Sequence, residues 1–446
     1  MAAVPSPPRV DVLADLEARE LIHDSTDREA LARLLAGPAV TVYCGFDPTA
    51  DSLHVGHLLC VLALRRLQLA GHRPIALAGG ATGMIGDPSG RSEERNLLDA
   101  DTLAANLAAI EVQLRRLLAF DEDDGGDGDA GQYGQGVPPA TLVDNATWTA
   151  ALSLLDFLRD VGKRVTVNQM LAKESVRTRL DGGGISFTEF SYMLIQAHDF
   201  LWLHQHHGCD LQIGGSDQWG NITAGIDLVR RTTGRATHGF TWPLLTRADG
   251  TKFGKTAGGN IWLDERRTRP YAFYQHWMQV DDADVRRFLL QLTLLPVAEV
   301  DAVLTEHTRV ARRRGAQRRL AFEVTALVHG SEEAVSAQAA AEVLFGERTG
   351  AVPPAAYRTL EGELATSAVE RQRLDSGIEL DLLLVETGLT ASRSDARRQL
   401  AQGAVYVNDE RVGAEAATVS SGDLRHQRWI LLRRGKREYR LIRLAG

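Results

Sequence analysis

Cysteine is scarce in this chain: Cys44, Cys60 and Cys209 are the only three among 446 residues, and no two stand in C-x-x-C spacing. That scarcity excludes a disulfide framework and a cysteine-built zinc site, and it suits a reducing cytoplasm. All three are expected to be small core-filling residues. Long apolar runs are missing too: no stretch reaches the roughly 18 residues that a membrane span needs. The opening MAAVPSPPRV lacks the charged-then-apolar layout of a signal peptide, which again points to the cytoplasm. A phosphate-cradling P-loop is absent. Gly250-Thr251-Lys252-Phe253-Gly254-Lys255-Thr256 places three residues between its glycines where that motif requires four. An overall excess of cations is lacking as well, since the formal charge is −8.

What is present is an ordinary globular balance, 44% hydrophobic and 24% charged, in a chain long enough for more than one domain. The cations are locally concentrated. Arg309, Arg312, Arg313, Arg314, Arg318 and Arg319 follow one another without an acid between them, and the tail from Arg425 to Arg443 is mostly basic. An acidic body with such local basic surfaces suits an enzyme that meets RNA at a few places, although solvated helix faces would give the same pattern.

The first half alternates short apolar strands with helical patterns, the signature of a parallel α/β sheet. Strands are expected at 40–44, 74–78 and 210–213, with helices at 53–69 and near 220–229. The stretch 121–139 is rich in Asp and Gly without Lys or Arg, and reads as a surface loop. The predicted division is a catalytic domain over 1–246, a lysine-bearing loop and connector over 247–269, a helical domain over 270–345, a linker over 346–377 punctuated by Pro353-Pro354, and a small α+β unit over 378–446.

Three glycine-bearing turns follow three of the expected strands, and in a doubly wound sheet ligands bind beyond the carboxyl ends of such strands. The first runs from Gly45 to His57, where Asp51 or Ser52 is a candidate helix cap and His54 and His57 flank the helix start. Two imidazoles beside a positive helix end suit phosphate oxygens. The second, Gly79 to Arg91, is dense enough in glycine for a backbone to approach a ligand, with Asp87 as a partner for an ammonium group. The third runs from Gly214 to Asn221. Tyr192, Gln196 and Asp199 are spaced to share one helix face, a polar stripe among Met193, Leu194 and Ile195 that suits a pocket wall better than a core. A carboxylate from Asp199 and a hydroxyl from Tyr43 would complement a phenol, which both donates and accepts.

The segment His54 to His57 resembles the HIGH signature of class I aminoacyl-tRNA synthetases, and Lys252 to Thr256 resembles their KMSKS loop in the KFGKT form of bacterial tyrosyl enzymes. YCGFDPTADSLHVGHL, GGATGMIGDPSGR, FTEFSYMLIQAHDF and GGSDQWGNI are together similar to the tyrosine-specific branch. The resemblance implies a Rossmann-like catalytic domain, an anticodon-side helical domain and a ribosomal-protein-type RNA-binding domain. It implies that Tyr43 and Asp199 bind the tyrosine hydroxyl, that Asp87, Tyr192 and Gln196 hold the α-ammonium, and that Gln218 lies near the carboxylate. Gly45, Asp47, Gly215 and Asp217 would cradle adenosine, with His57 near the nucleotide. Thr49, His54, Arg91, Arg95, Lys252, Lys255 and Thr256 would line the triphosphate path. Arg393, Arg397, Arg398 and Arg411 would meet RNA, SRSDARRQLAQGAVYVNDERV being similar to that RNA-binding domain.

The implied activity is tyrosine–tRNA ligation: the tyrosine carboxylate attacks the ATP α-phosphorus, pyrophosphate leaves, and a ribose hydroxyl at the tRNA end then takes the tyrosyl group. Mg²⁺ is implied with ATP and pyrophosphate, no protein-held metal is expected, and the family is homodimeric. Departures from the class pattern are Val55 in the first signature and Phe253, Gly254 and Thr256 in the loop. Arg91 stands where many relatives carry lysine and keeps its charge. A tryptophan-specific sister enzyme is disfavoured by the Tyr43–Asp199 pair and the C-terminal unit. A catalytically dead RNA-binding protein is disfavoured by intact His54, His57, Lys252 and Lys255.

Overall fold

Strand β1 (Thr41–Phe46) is built from β-branched and aromatic residues that alternate across a sheet buried on both faces. It lies between β2 (Arg73–Ala78) and β4 (Cys209–Gly215), while β3 (Thr141–Asp144) and β5 (His238–Trp242) complete an all-parallel order β3-β2-β1-β4-β5. The order reverses between β1 and β4. In a doubly wound sheet that switch point opens a crevice at the carboxyl ends of the strands. This computed structural model describes residues 11–89, 98–121, 137–173, 176–177, 179–180, 184–251, 253–256, 259–345, 352–413, 417–435 and 438–445. The expected acidic loop lies mostly outside them. Among the described residues no helix is long and apolar enough to cross a membrane.

The chain divides into two compact units, one of Met1–Arg269 with Trp277–Val328, the other of Pro270–His276 with His329–Gly446. In the first, Tyr43, Ile75 and Leu77 from one sheet face pack with Met193, Phe200 and Leu203 of helix Phe187–His207 and Leu228 of helix Trp219–Thr233. Helix Val55–Leu69 packs on β1 and β2, and its buried Leu58, Leu59, Leu62 and Leu64 give it a wide apolar face. A two-stranded ribbon, β6 (Lys255–Thr256) with β7 (Gly259–Asn260), follows the sheet. Part of the anticipated helical domain, through Val328, belongs to this first unit.

The second unit carries a mixed sheet in the order β11-β10-β13-β14-β8, formed by β8 (Thr366–Val369), β10 (Val405–Val407), β11 (Glu410–Arg411), β13 (Trp429–Arg434) and β14 (Glu438–Leu444). A separate pair joins β9 (Ile378–Glu379) to β12 (Thr418–Val419). Helices Leu380–Glu386 and Arg393–Ala401 supply Leu383, Leu384, Ala396 and Leu400 to its core. The expected linker at 346–377 needs correcting over its described part. Pro354–Glu363 is a helix, and β8 extends the sheet by parallel pairing with β14, which satisfies backbone groups that a linker would leave to water.

Candidate functional site

The turn after β1 ends in a helix cap that the sequence did not reveal. His54 is extended (φ −123°, ψ 173°) and is itself the N-cap of helix Val55–Leu69. Its Nδ1 accepts from the Gly56 N–H at 3.1 Å, and the His57 Nδ1 accepts from the His54 N–H at 3.2 Å. The rings stack with centroids 3.9 Å apart. With both Nδ1 atoms accepting, each neutral ring carries its proton on Nε2 and can donate from there. Asp51 and Ser52, the expected caps, are engaged elsewhere. Asp51 pairs with Arg267, while the Ser52 hydroxyl donates to the Leu53 carbonyl and accepts from the Asp264 N–H.

The second turn uses its glycines differently from the expectation of close ligand approach. A Cβ on Gly79 would fall 2.3 Å from the Asp47 carboxylate, and one on Gly80 would fall 2.2 Å from that of Asp144. The glycines therefore make room for two carboxylates at the strand ends. Asp47 is then held by the Thr82 hydroxyl at 2.8 Å and the Tyr192 hydroxyl at 2.9 Å.

These turns enclose one cavity of about 700 Å³. It gathers Tyr43, Gly45, Asp47, Thr49, His54, His57, Asp87, Tyr192, Gln196, Asp199, Gly215, Asp217 and Gln218. The stripe of Tyr192, Gln196 and Asp199 thus faces the cavity, as helical spacing required. Phe253, Gly254 and Asn260 bring the ribbon segment to its wall. Arg91, Arg95 and Lys252 lie outside the described residues, as do the side chains of Lys255 and Thr256.

Two polar groupings divide the cavity. In the first, Asp199 is buried and its carboxylate accepts from the Trp148 Nε1–H at 2.8 Å and the Asn145 side-chain amide at 3.0 Å. Burial pushes its pKa up to about 7, opposed by those two hydrogen bonds and aided by repulsion from Asp47 and Asp144. Beside it, burial and the Asp199 charge raise the Tyr43 phenol well above its ordinary range, so the hydroxyl stays protonated. Among the described residues that hydroxyl is buried without a hydrogen-bond partner, which is costly unless a ligand group meets it.

In the second grouping, the Gln218 amide donates to Asp87 at 2.7 Å, and the Ser89 N–H donates to its other oxygen at 2.9 Å. The Asn221 amide donates to the Gln196 and Gln218 carbonyl oxygens at 3.0 and 3.2 Å. Asn221 was legible in the third turn as a motif residue without a role. Asn145 and Trp148 were not, because they follow β3 and reach Asp199 only through strand pairing. Among the described residues no group of three His, Cys, Asp or Glu side chains could hold a metal ion.

The arginines of the C-terminal unit are less available than their sequence suggests. Arg393 is paired with Asp381 at 2.8 Å and also with Glu379, Arg397 is 2.7 Å from Asp381, and Arg398 is 2.5 Å from Asp395. Arg411 donates to the Gly403 and Gln402 carbonyls. The basic run at 309–319 is also partly occupied: Arg314 donates to the Met278 and Val280 carbonyls, and Arg319 pairs with Glu299 and Glu323.

Comparison with known proteins fits this architecture. The profile of the tRNA synthetases class I (W and Y) matches residues 36–346, and that of the tyrosine–tRNA ligase SYY-like C-terminal domain matches 363–442. The chain is 50% identical to a tyrosine–tRNA ligase of Opitutus terrae over 97% of this chain and 100% of the relative. It is 47% identical to one from Geobacillus stearothermophilus over 98% of this chain and 100% of the relative. Among solved structures, a C-terminally truncated mitochondrial tyrosyl-tRNA synthetase of Aspergillus nidulans superposes with a TM-score of 0.67 at 34% identity, covering 76% of this chain and 95% of that one. With the doubly wound sheet, the cavity at its switch point and near full-length identity in agreement, the chain belongs to the tyrosine–tRNA ligase family of class I tRNA synthetases.

Proposed function

We propose that the cavity activates tyrosine with ATP and that each wall has a defined part. Tyr43 and Asp199 receive the phenol of tyrosine: the phenol donates to the Asp199 carboxylate and accepts from the Tyr43 hydroxyl. Asp87, Tyr192 and Gln196 hold the α-ammonium, and Gln218 lies beside the carboxylate. Gly45, Asp47, Gly215 and Asp217 cradle adenosine, with His57 against the nucleotide. Thr49 and His54, joined by Arg91, Arg95, Lys252, Lys255 and Thr256, line the path of the phosphates. The observation that carries this reading is the buried, unpartnered Tyr43 hydroxyl in the same cavity as buried Asp199.

The tyrosine carboxylate is already ionised, so the first step needs no general base. It attacks the ATP α-phosphorus as the bond to pyrophosphate breaks. Catalysis comes from holding the two reactants in line and from donors aimed at the phosphate oxygens, including the Nε2–H groups of His54 and His57. Mg²⁺ bound with the ATP phosphates would help to neutralise the charge that develops on pyrophosphate. A terminal ribose hydroxyl of tRNA(Tyr) then attacks the adenylate carbonyl. Arg393, Arg397, Arg398 and Arg411 contribute to RNA contact, with Arg397 and Arg398 the more exposed of the paired arginines.

The working form is a cytoplasmic homodimer. Leu154, Leu155, Leu158, Val167 and Phe187 are 48–78% exposed, a set of large apolar side chains that a second copy would cover. The test of the activity is tyrosine-dependent ATP–pyrophosphate exchange. Exchange supported better by tryptophan than by tyrosine would refute the assignment.

A further inference from the structure

The cavity-facing stripe of helix Phe187–His207 continues past Asp199 to the protein surface. Trp202 lies three residues beyond Asp199 and His206 four beyond Trp202, so the three share one helix face. The Trp202 ring stacks on that of Trp148, with centroids 4.1 Å apart and planes 11° from parallel. The His206 ring stacks on Trp202 at 4.3 Å and 16°, and its Nδ1–H donates to the Trp202 carbonyl at 2.8 Å. His206 is exposed and Trp202 half-buried, so the column of rings runs from the surface inward. It ends at Trp148, which is buried and whose Nε1–H donates to the Asp199 carboxylate at 2.8 Å.

We propose that Trp202 is a positioning residue for tyrosine selection: it fixes the plane of Trp148, and through that indole the Asp199 carboxylate that meets the phenol. The inference rests on the assignment of Asp199 to the phenol. Trp148 stands on a four-residue helix, Ala146–Thr149, with no side-chain hydrogen bond at its N-cap. So short a helix does not order itself. An indole carries one donor, so the bond to Asp199 forms only at one setting of the ring. Helix Phe187–His207, 21 residues long, supplies both jaws of a clamp. Asp199 takes the Trp148 N–H, and Trp202 takes the face of the same ring. The His206 stack and its bond to the Trp202 carbonyl hold the second jaw in turn.

Without that face the indole turns away, and of its two donors Asp199 keeps the Asn145 amide alone. A carboxylate held less firmly binds the phenol less well in ground state and transition state alike, which raises KM and leaves kcat unchanged. Phenylalanine brings no hydroxyl to Asp199 and loses less. Burial raises the Asp199 pKa, and the Asn145 and Trp148 bonds oppose that rise. Losing one of them leaves the carboxyl protonated to higher pH. Tyr43 from β1, Asp47 from the turn after it and Asp144 from the end of β3 are the other titratable groups that act on Asp199, and a change at Trp202 leaves all three in place.

The test measures tyrosine-dependent exchange on the full-length chain, with tyrosine, phenylalanine and ATP each varied. Trp202→Leu keeps apolar cover without a ring face, and Trp202→Phe keeps a face. In Trp202→Leu the KM for tyrosine should rise about tenfold, with kcat and the KM for ATP unchanged. The preference for tyrosine over phenylalanine should narrow by the same factor, and the fall of kcat/KM toward acid should begin at higher pH. Trp202→Phe should bring the KM back to within about threefold of the unmodified chain. His206→Ala, at an exposed position, should raise it about threefold. Circular dichroism of the unmodified chain should show the exciton couplet of two stacked indoles, lost in both Trp202 variants. An unmoved phenylalanine ratio and pH profile in Trp202→Leu would overturn the proposal, as would an unmodified chain without the couplet. Equal rises in KM for tyrosine and ATP would do the same, because they mark a general loosening. Should Trp202→Leu not fold, an unchanged KM in His206→Ala would overturn it. An unmodified chain without tyrosine-dependent exchange would refute the activity itself, and the proposal with it.

Discussion

Replacing Asp199 with Asn tests the phenol end of the cavity through both stability and activity. The carboxyl is buried and its pKa rises from 3.8 to about 7. Between those values the folded protein keeps a proton that the unfolded chain has released, so stability falls as pH rises. The loss is about 1.4 kcal/mol per pH unit, or about 4 kcal/mol across the whole window. Asn cannot titrate, but its amide fits the surrounding donors poorly. Trp148 Nε1 is only a donor, and the Asn145 side chain is oriented by the Ala81 N–H, which donates to its carbonyl at 2.7 Å. One donor therefore loses its acceptor, at about 1–3 kcal/mol. Asp199→Asn should be the less stable protein at pH 4 by that amount and the more stable at pH 8 by about 1–3 kcal/mol, with the order reversing in between. Urea unfolding at half-unit pH intervals measures this directly. The same proton governs substrate binding if the phenol donates to the carboxylate. The kcat/KM for tyrosine should then fall about tenfold per pH unit below 7 in the unmodified chain, and stay level in the variant after an initial loss on the order of 10². A stability difference constant from pH 4 to 8 would refute the placement of an unusually basic carboxyl at this position.

Tyrosine should be preferred to phenylalanine by roughly 10⁴ to 10⁵ in exchange kinetics, because phenylalanine leaves Tyr43 and Asp199 unpaired; that magnitude is the one established for tyrosyl-tRNA synthetases, not one worked out from this structure. Lys255→Ala should slow adenylate formation by about 10² to 10³ with tyrosine affinity nearly unchanged, and normal single-turnover rates would remove the loop from catalysis. Leu155→Asp, at a side chain 78% exposed, should shift the sedimentation of a dimer to that of a monomer; an unchanged sedimentation coefficient would place the dimer contact elsewhere. Arg397→Ala with Arg398→Ala should leave exchange intact, since it needs no RNA, and reduce the salt slope of tRNA binding by up to about two units. An unaltered slope would mean that Asp381 and Asp395 already occupy both cations.

The α/β alternation, the three glycine-bearing turns and the helical stripe of Tyr192, Gln196 and Asp199 were legible in the linear chain, because strand and helix periodicity are local properties. The order of the strands was not. Only the parallel pairing of β1 with both β2 and β4 places the three turns around one crevice. Local capping chemistry favoured Asp51 or Ser52, but tertiary partners at Arg267 and Asp264 claim both, and the cap passes to His54. The stretch before residue 378 looked like a linker because a four-residue edge strand carries little signal until β14 lies beside it. Charge is the clearest case. A run of arginines reads as a cationic surface in sequence, but Asp381 reaches Arg393 and Arg397 from a different helix, and Asp395 reaches Arg398 from the preceding turn of the same one. The nearly full-length motif pattern determined the chemistry this protein performs. Which groups are buried, paired or left facing the substrate depends on atoms distant in the chain, and the tertiary structure alone decided that.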